Sequence, residues 1–232
     1  MKIAVTGGKG GVGKSTVALN LAVELNALVV DGDLSTADLP HGSGPDLHDV
    51  LAGRVEPTAA VEQLWSTPLL PCGRTLAGAR ASNLDRFGEA LERLERAYGT
   101  VVVDCPAGLA RDVGIELQGV DVALLVTSAD SAALDDAYKT RTVATKLDTP
   151  VAAVVLNKTD RERFEAMEAD VEARFGAPVR YVPPRADIEE AQANWSALRD
   201  AYPESDALEQ FEAVAEVVRR CRHRVEQSGS LA

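Results

Sequence analysis

The chain reads as an α/β protein with one domain: a doubly wound, mostly parallel sheet flanked by helices. Three observations predict this. Short apolar runs (Ile3 to Val5, Leu28 to Val30, Val101 to Val103, Val122 to Val126, Val151 to Leu156) lack polar alternation, as strands covered on both faces do. Helical signals separate them, giving the strand–helix–strand order of a parallel sheet. Several runs end in polar groups, Asp31, Asp104 and Asn157, at the strand ends that face the ligand crevice of an open α/β sheet.

The first unit is the most specific. Ile3 to Val5 is a buried strand, residues 6–14 a glycine-rich loop, and Val17 to Leu25 a helix with Val17, Leu21 and Leu25 on one face. Strand, loop and helix frame the pattern G-x-x-x-x-G-K-[ST] at Gly8, Gly13, Lys14 and Ser15. Small residues let backbone N–H groups turn toward phosphates, and the helix N-terminus adds positive potential. Lys14 supplies a full charge, and the Ser15 hydroxyl is a ligand for Mg²⁺. Lys9 is a second lysine in the loop, which the ordinary pattern does not require.

Leu28 to Asp31 is the next strand and runs into Asp31-Gly32-Asp33, with Asp38 further on. Residues 41–45 form a turn cluster, and Leu47, Val50 and Leu51 mark a short helix ending at Gly53. His41 and His48 have no third partner at metal-ligand spacing. Leu69 and Leu70 form a short strand. Leu84, Phe87, Leu91 and Leu94 are the apolar stripe of a surface helix. Thr100 to Asp104 is a buried strand delivering one carboxylate, the arrangement that completes an Mg²⁺ shell in phosphoryl transfer. Cys105 beside it reads as a small buried filler. Asp121 to Thr127 is a strand and Ser131 to Leu147 its helix. Val151 to Leu156 delivers Asn157-Lys158-Thr159-Asp160, and Pro178 to Pro183 is the last strand. Asp206 to Gln227 is a final helix with a five-residue tail, 228–232, taken as flexible. The domain thus spans residues 1–227.

Composition narrows the classes. The 232 residues carry a net charge of −12, and six lysines (Lys2, Lys9, Lys14, Lys139, Lys146, Lys158) are all there are. Such a surface stays soluble by self-repulsion, which suits a salt-rich cytoplasm, and it argues against nucleic acid as a whole-surface partner. Arg219, Arg220, Arg222 and Arg224 form the one basic cluster. It is either a local patch for DNA or anionic membrane or a set of cations at a helix C-terminus. Cys72, Cys105 and Cys221 form no C-x-x-C pair. No apolar run approaches the ~20 residues that span a bilayer. The expected address is the cytoplasm.

Lys9 with Lys14, the Asp31-Gly32-Asp33 segment and Asp104-Cys105-Pro106-Ala107-Gly108 resemble the deviant Walker A loop, switch I and switch II of the MinD/ParA family of P-loop ATPases, closest to its MinD-like members. The resemblance implies ATP and Mg²⁺ as cofactors, slow and partner-stimulated hydrolysis, a nucleotide-dependent homodimer, and a role in positioning division sites, chromosomes or cargo. Gly8, Lys9, Gly10, Gly11, Val12, Gly13, Lys14, Ser15 and Thr16 would hold the phosphates, with Lys9 reaching the neighbour's nucleotide. Asp33 would orient the attacking water. Ser15, Asp33 and Asp104 would serve the metal, Gly108 would sense the γ-phosphate, and Asn157 and Pro183 would border the base. Asp38 departs from the asparagine frequent in MinD proteins. Asn157-Lys158-Thr159-Asp160 also fits the guanine-reading N-K-x-D of GTPases, so a regulatory GTPase is one alternative. A nucleotide-gated DNA- or membrane-binding module without hydrolysis is the other. The usual glycine after Glu190-Ala191 is replaced by Asn194-Trp195.

Overall fold

The computed structural model describes residues 1–34, 39–40, 42–108 and 111–229, with side chains described except at 111–112 and 222–229. Its strands are β1 (Lys2–Thr6), β2 (Leu28–Asp31), β3 (Glu62–Leu64), β4 (Thr67–Leu70), β5 (Val101–Asp104), β6 (Val122–Thr127), β7 (Val151–Asn157) and β8 (Val179–Val182). Its α-helices are α1 (Lys14–Leu25), α2 (Leu47–Leu51), α3 (Leu76–Ala81), α4 (Phe87–Tyr98), α5 (Arg111–Gly119), α6 (Ser131–Lys146), α7 (Arg161–Phe175), α8 (Ala186–Ala193), α9 (Leu198–Ala201) and α10 (Leu208–Gly229).

One sheet holds all eight strands in the order β3-β4-β2-β5-β1-β6-β7-β8, parallel except for β3. The apolar runs are buried on both faces, and alternate residues enter different cores. Ile3, Val5, Val29, Val102, Leu124 and Val155 pack with α1 and α10. Ala4, Leu28, Val30, Val101 and Val103 pack with α2, α4 and α5. Leu125, Val154 and Leu156 pack with α6 and α7. Strand β1 lies between β5 and β6: the chain leaves β1 toward the β2 side, and after β5 it crosses to β6 on the other side. The C-terminal ends of β1, β5 and β2 therefore open on the crevice of the topological switch point.

Several details differ from the sequence-based expectation. The antiparallel edge strand β3 has no period-2 signal: Glu-Gln-Leu is too short and polar to announce itself. It joins β4 through a two-residue turn, with Trp65 at φ 50°. The apolar stripe beginning at Leu84 splits into a 3₁₀ turn over Leu84–Arg86 and α4. The final helix starts at Leu208 and continues to Gly229, so residues 228 and 229 are helical in backbone. Residues 230–232 lie outside the described part. Among the described residues, no helix is long and apolar enough to cross a membrane.

Candidate nucleotide site

The loop between β1 and α1 is shaped by its glycines. Gly13, the N-cap of α1, has φ +91°, and a Cβ there would meet Asn157 Nδ2 at 2.1 Å. No side chain caps the helix, and its first turn holds no acidic residue. Among the described residues, no side-chain acceptor is shown for the first-turn N–H groups, the condition for anion binding at a helix start. Lys14 is buried (7% exposed), whereas Lys9 in the same loop is exposed. Lys9 faces the start of α6. There a hydrogen bond from the Ser128 hydroxyl and one from the Ala133 N–H hold the Asp130 carboxyl below its usual range, with the Lys9 charge contributing. The Thr16 hydroxyl is buried and has no hydrogen-bond partner among the described residues. Asn20, one turn on, donates to Thr16 O (2.8 Å) and accepts from Leu198 N–H (2.7 Å), bracing α1 on α9.

Carboxylates gather at the ends of β2 and β5, where Asp31 pairs in register with Asp104. Asp31 is fully buried. It accepts from the N–H groups of Asp33 (3.2 Å) and Leu39 (3.1 Å), so it holds the backbone at both positions. Asp33 is half-buried, and Asp104 is 3% exposed. Gly108, at φ +90°, turns the chain after β5.

Sequence reasoning missed Glu116 of α5. It is 2% exposed, and a Cβ on Gly32 would lie 2.8 Å from its Oε1 and 3.0 Å from Asp104 O. A signal existed: Val113 and Leu117 are buried on α5, and Glu116, three residues after Val113, falls on the same helical face. Burial, then the charge and hydrogen bond of Glu116 and the charge of Asp104, push the Cys105 thiol far up, against the opposing charge of Lys14. Cys105 is therefore an inert thiol, as its filler reading required. His48 is likewise internal. Its Nε2 lies 3.2 Å from Leu34 O and 3.6 Å from Cys72 Sγ, linking α2 to switch I.

The other end of the crevice is built differently. Asn157 is buried at the end of β7 and donates one amide proton to Val12 O (2.8 Å). Lys158, at φ 54°, reaches Gly11 O with its ammonium (3.2 Å). Both residues thus clasp the phosphate loop itself. Asp160 caps α7, accepting from Arg163 N–H (2.9 Å). Pro183 follows β8, half-buried, and Arg185 forks onto Asp187 (3.1 and 3.0 Å). Asp38 and His41 lie outside the described residues, as do the side chains of Arg222 and Arg224. Of the described basic pair at the end of the chain, Arg219 bonds Glu24 O (2.5 Å) and Arg220 bonds Glu216 (3.0 Å).

The residues fit a nucleotide with Mg²⁺. A buried lysine, a buried hydroxyl without a partner and a helix start with no capping side chain meet at one place, and Ser15 and Asp104 border it. Among the described residues, no group of three or more His, Cys, Asp or Glu side chains could hold a metal by itself. Mg²⁺ of the phosphoryl-transfer kind needs no such cage, because phosphate oxygens complete its shell.

Comparison with known proteins agrees. Residues 3–196 match the family model of the CobQ/CobB/MinD/ParA nucleotide binding domain. An ATP-binding protein of Methanocaldococcus jannaschii is 28% identical over 92% of this chain and 85% of its own. The cell division ATPase MinD of Pyrococcus furiosus superposes with a TM-score of 0.86 at 28% identity, covering 95% of this chain and 98% of that one. The septum site-determining protein MinD of Pyrococcus horikoshii, solved with Mg-ADP, gives 0.84 at 29% identity over 94% and 95%. With a buried Lys14, an exposed Lys9 and this sheet order, the chain belongs to the MinD/ParA family of P-loop ATPases.

Proposed function

We propose that this chain is an Mg²⁺-dependent ATPase acting as an ATP-driven dimerisation switch in intracellular positioning or partitioning. The observation that carries the reading is the contrast within one loop: Lys14 is buried at the phosphate site, and Lys9 is exposed. A lysine so placed is available to phosphates brought by a second copy. The similarity to MinD structures supports the assignment to positioning.

Roles follow from the placements. Lys14 and the N–H groups at the start of α1 neutralise and orient the phosphates. Ser15 and Asp104 would hold the metal, which polarises the phosphoryl oxygens when bound. Asp33, half-buried two residues beyond the end of β2, would orient a water for in-line attack. Asp31 holds the loop that carries it. Loss of the γ-phosphate would release switch I and with it the dimer and its hold on an activating partner.

ATP is favoured over GTP because Asp160, which guanine reading needs, is engaged as the cap of α7. The test is Lys9→Ala. MgATP-dependent dimerisation, read by light scattering, and phosphate release should both be lost, while ATP binding by the monomer stays within a few-fold of wild type. Equal dimerisation and turnover in the two proteins would refute the proposal.

A further inference from the structure

We propose that Trp195 contacts bound nucleotide, its indole forming the wall against which the ribose rests. The inference builds on the nucleotide-site reading and adds a residue to it.

The backbone raises the question. Helix α8 ends in a Schellman turn, in which the Trp195 N–H bonds Gln192 O (2.9 Å) and the Ser196 N–H bonds Ala191 O (2.9 Å). Trp195 occupies the left-handed position of that turn, φ 53°, where glycine is favoured and a bulky residue is strained. Trp195 is 38% exposed, one of the exposed large apolar side chains among the described residues, so part of the indole faces solvent.

The position of the side chain supplies an answer. Trp195 lines a cleft with Ser15, Thr16, Leu19, Leu39 and Gln192. Ser15 and Thr16 are the first turn after the phosphate-binding Lys14, and the Leu39 N–H is held by Asp31. The cleft therefore lies on the rim of the crevice, beside the phosphate site. Phosphates are claimed by the loop backbone, and the base end is bordered by Asn157 and Pro183, neither of which lines this cleft. The remaining part of a nucleotide is its sugar. An aromatic surface at this rim suits the C–H face of a ribose.

The chain has two tryptophans, so Trp65→Phe leaves Trp195 as the sole indole. In that variant, Mg-ADP should change the indole emission, and Mg-tripolyphosphate at saturation should not. Trp195→Gly should remain folded, as its melting curve checks, because glycine suits the left-handed position of the turn. It should also weaken Mg-ADP binding roughly threefold to tenfold while leaving tripolyphosphate affinity unchanged. Unchanged emission while calorimetry records ADP binding would overturn the proposal. So would an equal emission response to tripolyphosphate, or wild-type ADP affinity in Trp195→Gly. A wild-type chain that binds no nucleotide by calorimetry would defeat the nucleotide site itself and this contact with it, a result distinct from the others.

Discussion

The two ends of the crevice are made of different materials. The phosphate end is backbone and buried charge: a left-handed glycine, the uncapped start of α1, Lys14, and the carboxylates at the ends of β2 and β5. The proposed base end is side chains engaged in other work. Asn157 and Lys158 clasp the phosphate loop, Asp160 caps a helix, and Asp187 holds Arg185 and Ser205. The contrast teaches that the first end specifies phosphate by its own local geometry. The second end is positional, and its selectivity depends on how distant segments hold one another.

If so, substitutions at the two ends should differ in kind. The largest effect is expected from Lys14→Ala. Removing a buried charge aimed at phosphates costs roughly 2–5 kcal/mol, about 30-fold or more in affinity. Calorimetry should find the same proportional loss for ADP and for tripolyphosphate, because the phosphate end does not depend on what the phosphates carry. A loss confined to ADP would break the contrast.

A middle-sized effect separates the members of the Asn157–Asp160 stretch. Asn157→Ala removes a buried hydrogen bond to the phosphate loop and leaves Val12 O without that donor, a cost of about 1–3 kcal/mol. It should lower both the melting temperature and nucleotide affinity, tripolyphosphate included. Asp160→Ala should lower stability by about 1 kcal/mol through loss of the α7 cap and leave ATP affinity unchanged. Guanine recognition by Asp160 would instead appear as GTP competing well against ATP in wild type and failing to compete in Asp160→Ala.

The same contrast explains what could be read from the sequence. Strand β1, the glycine loop and α1 are contiguous, and each part constrains the next, so the phosphate end was legible residue by residue. The strand ends at Asp31 and Asp104 were legible because an apolar run ending in an acid is informative by itself. Glu116 was not, because an acid inside an amphipathic helix looks like part of a solvated face until tertiary packing turns it inward beneath Gly32. Asn157 was recognised as a site residue, but its bond to Val12 spans 145 positions and leaves no local trace. Trp195 stood out only as a missing glycine. The left-handed backbone and the cleft it faces became visible with the turn at the end of α8. Edge strand β3 escaped for want of length and pattern.

The smallest expected effect tests whether the base end is held by its side-chain network. Asp187 accepts both prongs of Arg185, the Ser205 hydroxyl (2.7 Å) and the Ile188 N–H (3.0 Å). The Arg185 hydrogen bond comes first among the causes that hold its carboxyl below the usual range, partial burial working in the opposite direction. A folded-state value below the unfolded one means that the unfolded chain binds the proton more tightly. The stabilisation is therefore fully present above the unfolded value of about 3.9 and is lost as pH falls through the lower, folded value. Asp187→Asn should lower stability by about 1 kcal/mol at pH 7, a size limited by the solvent exposure of its partner Arg185. Urea melts should show the deficit constant from pH 7 to 5 and shrinking toward zero as the pH is taken below 4. A deficit that persists undiminished at low pH would mean that Asp187 acts through packing rather than charge. The base end would then be as rigidly built as the phosphate end.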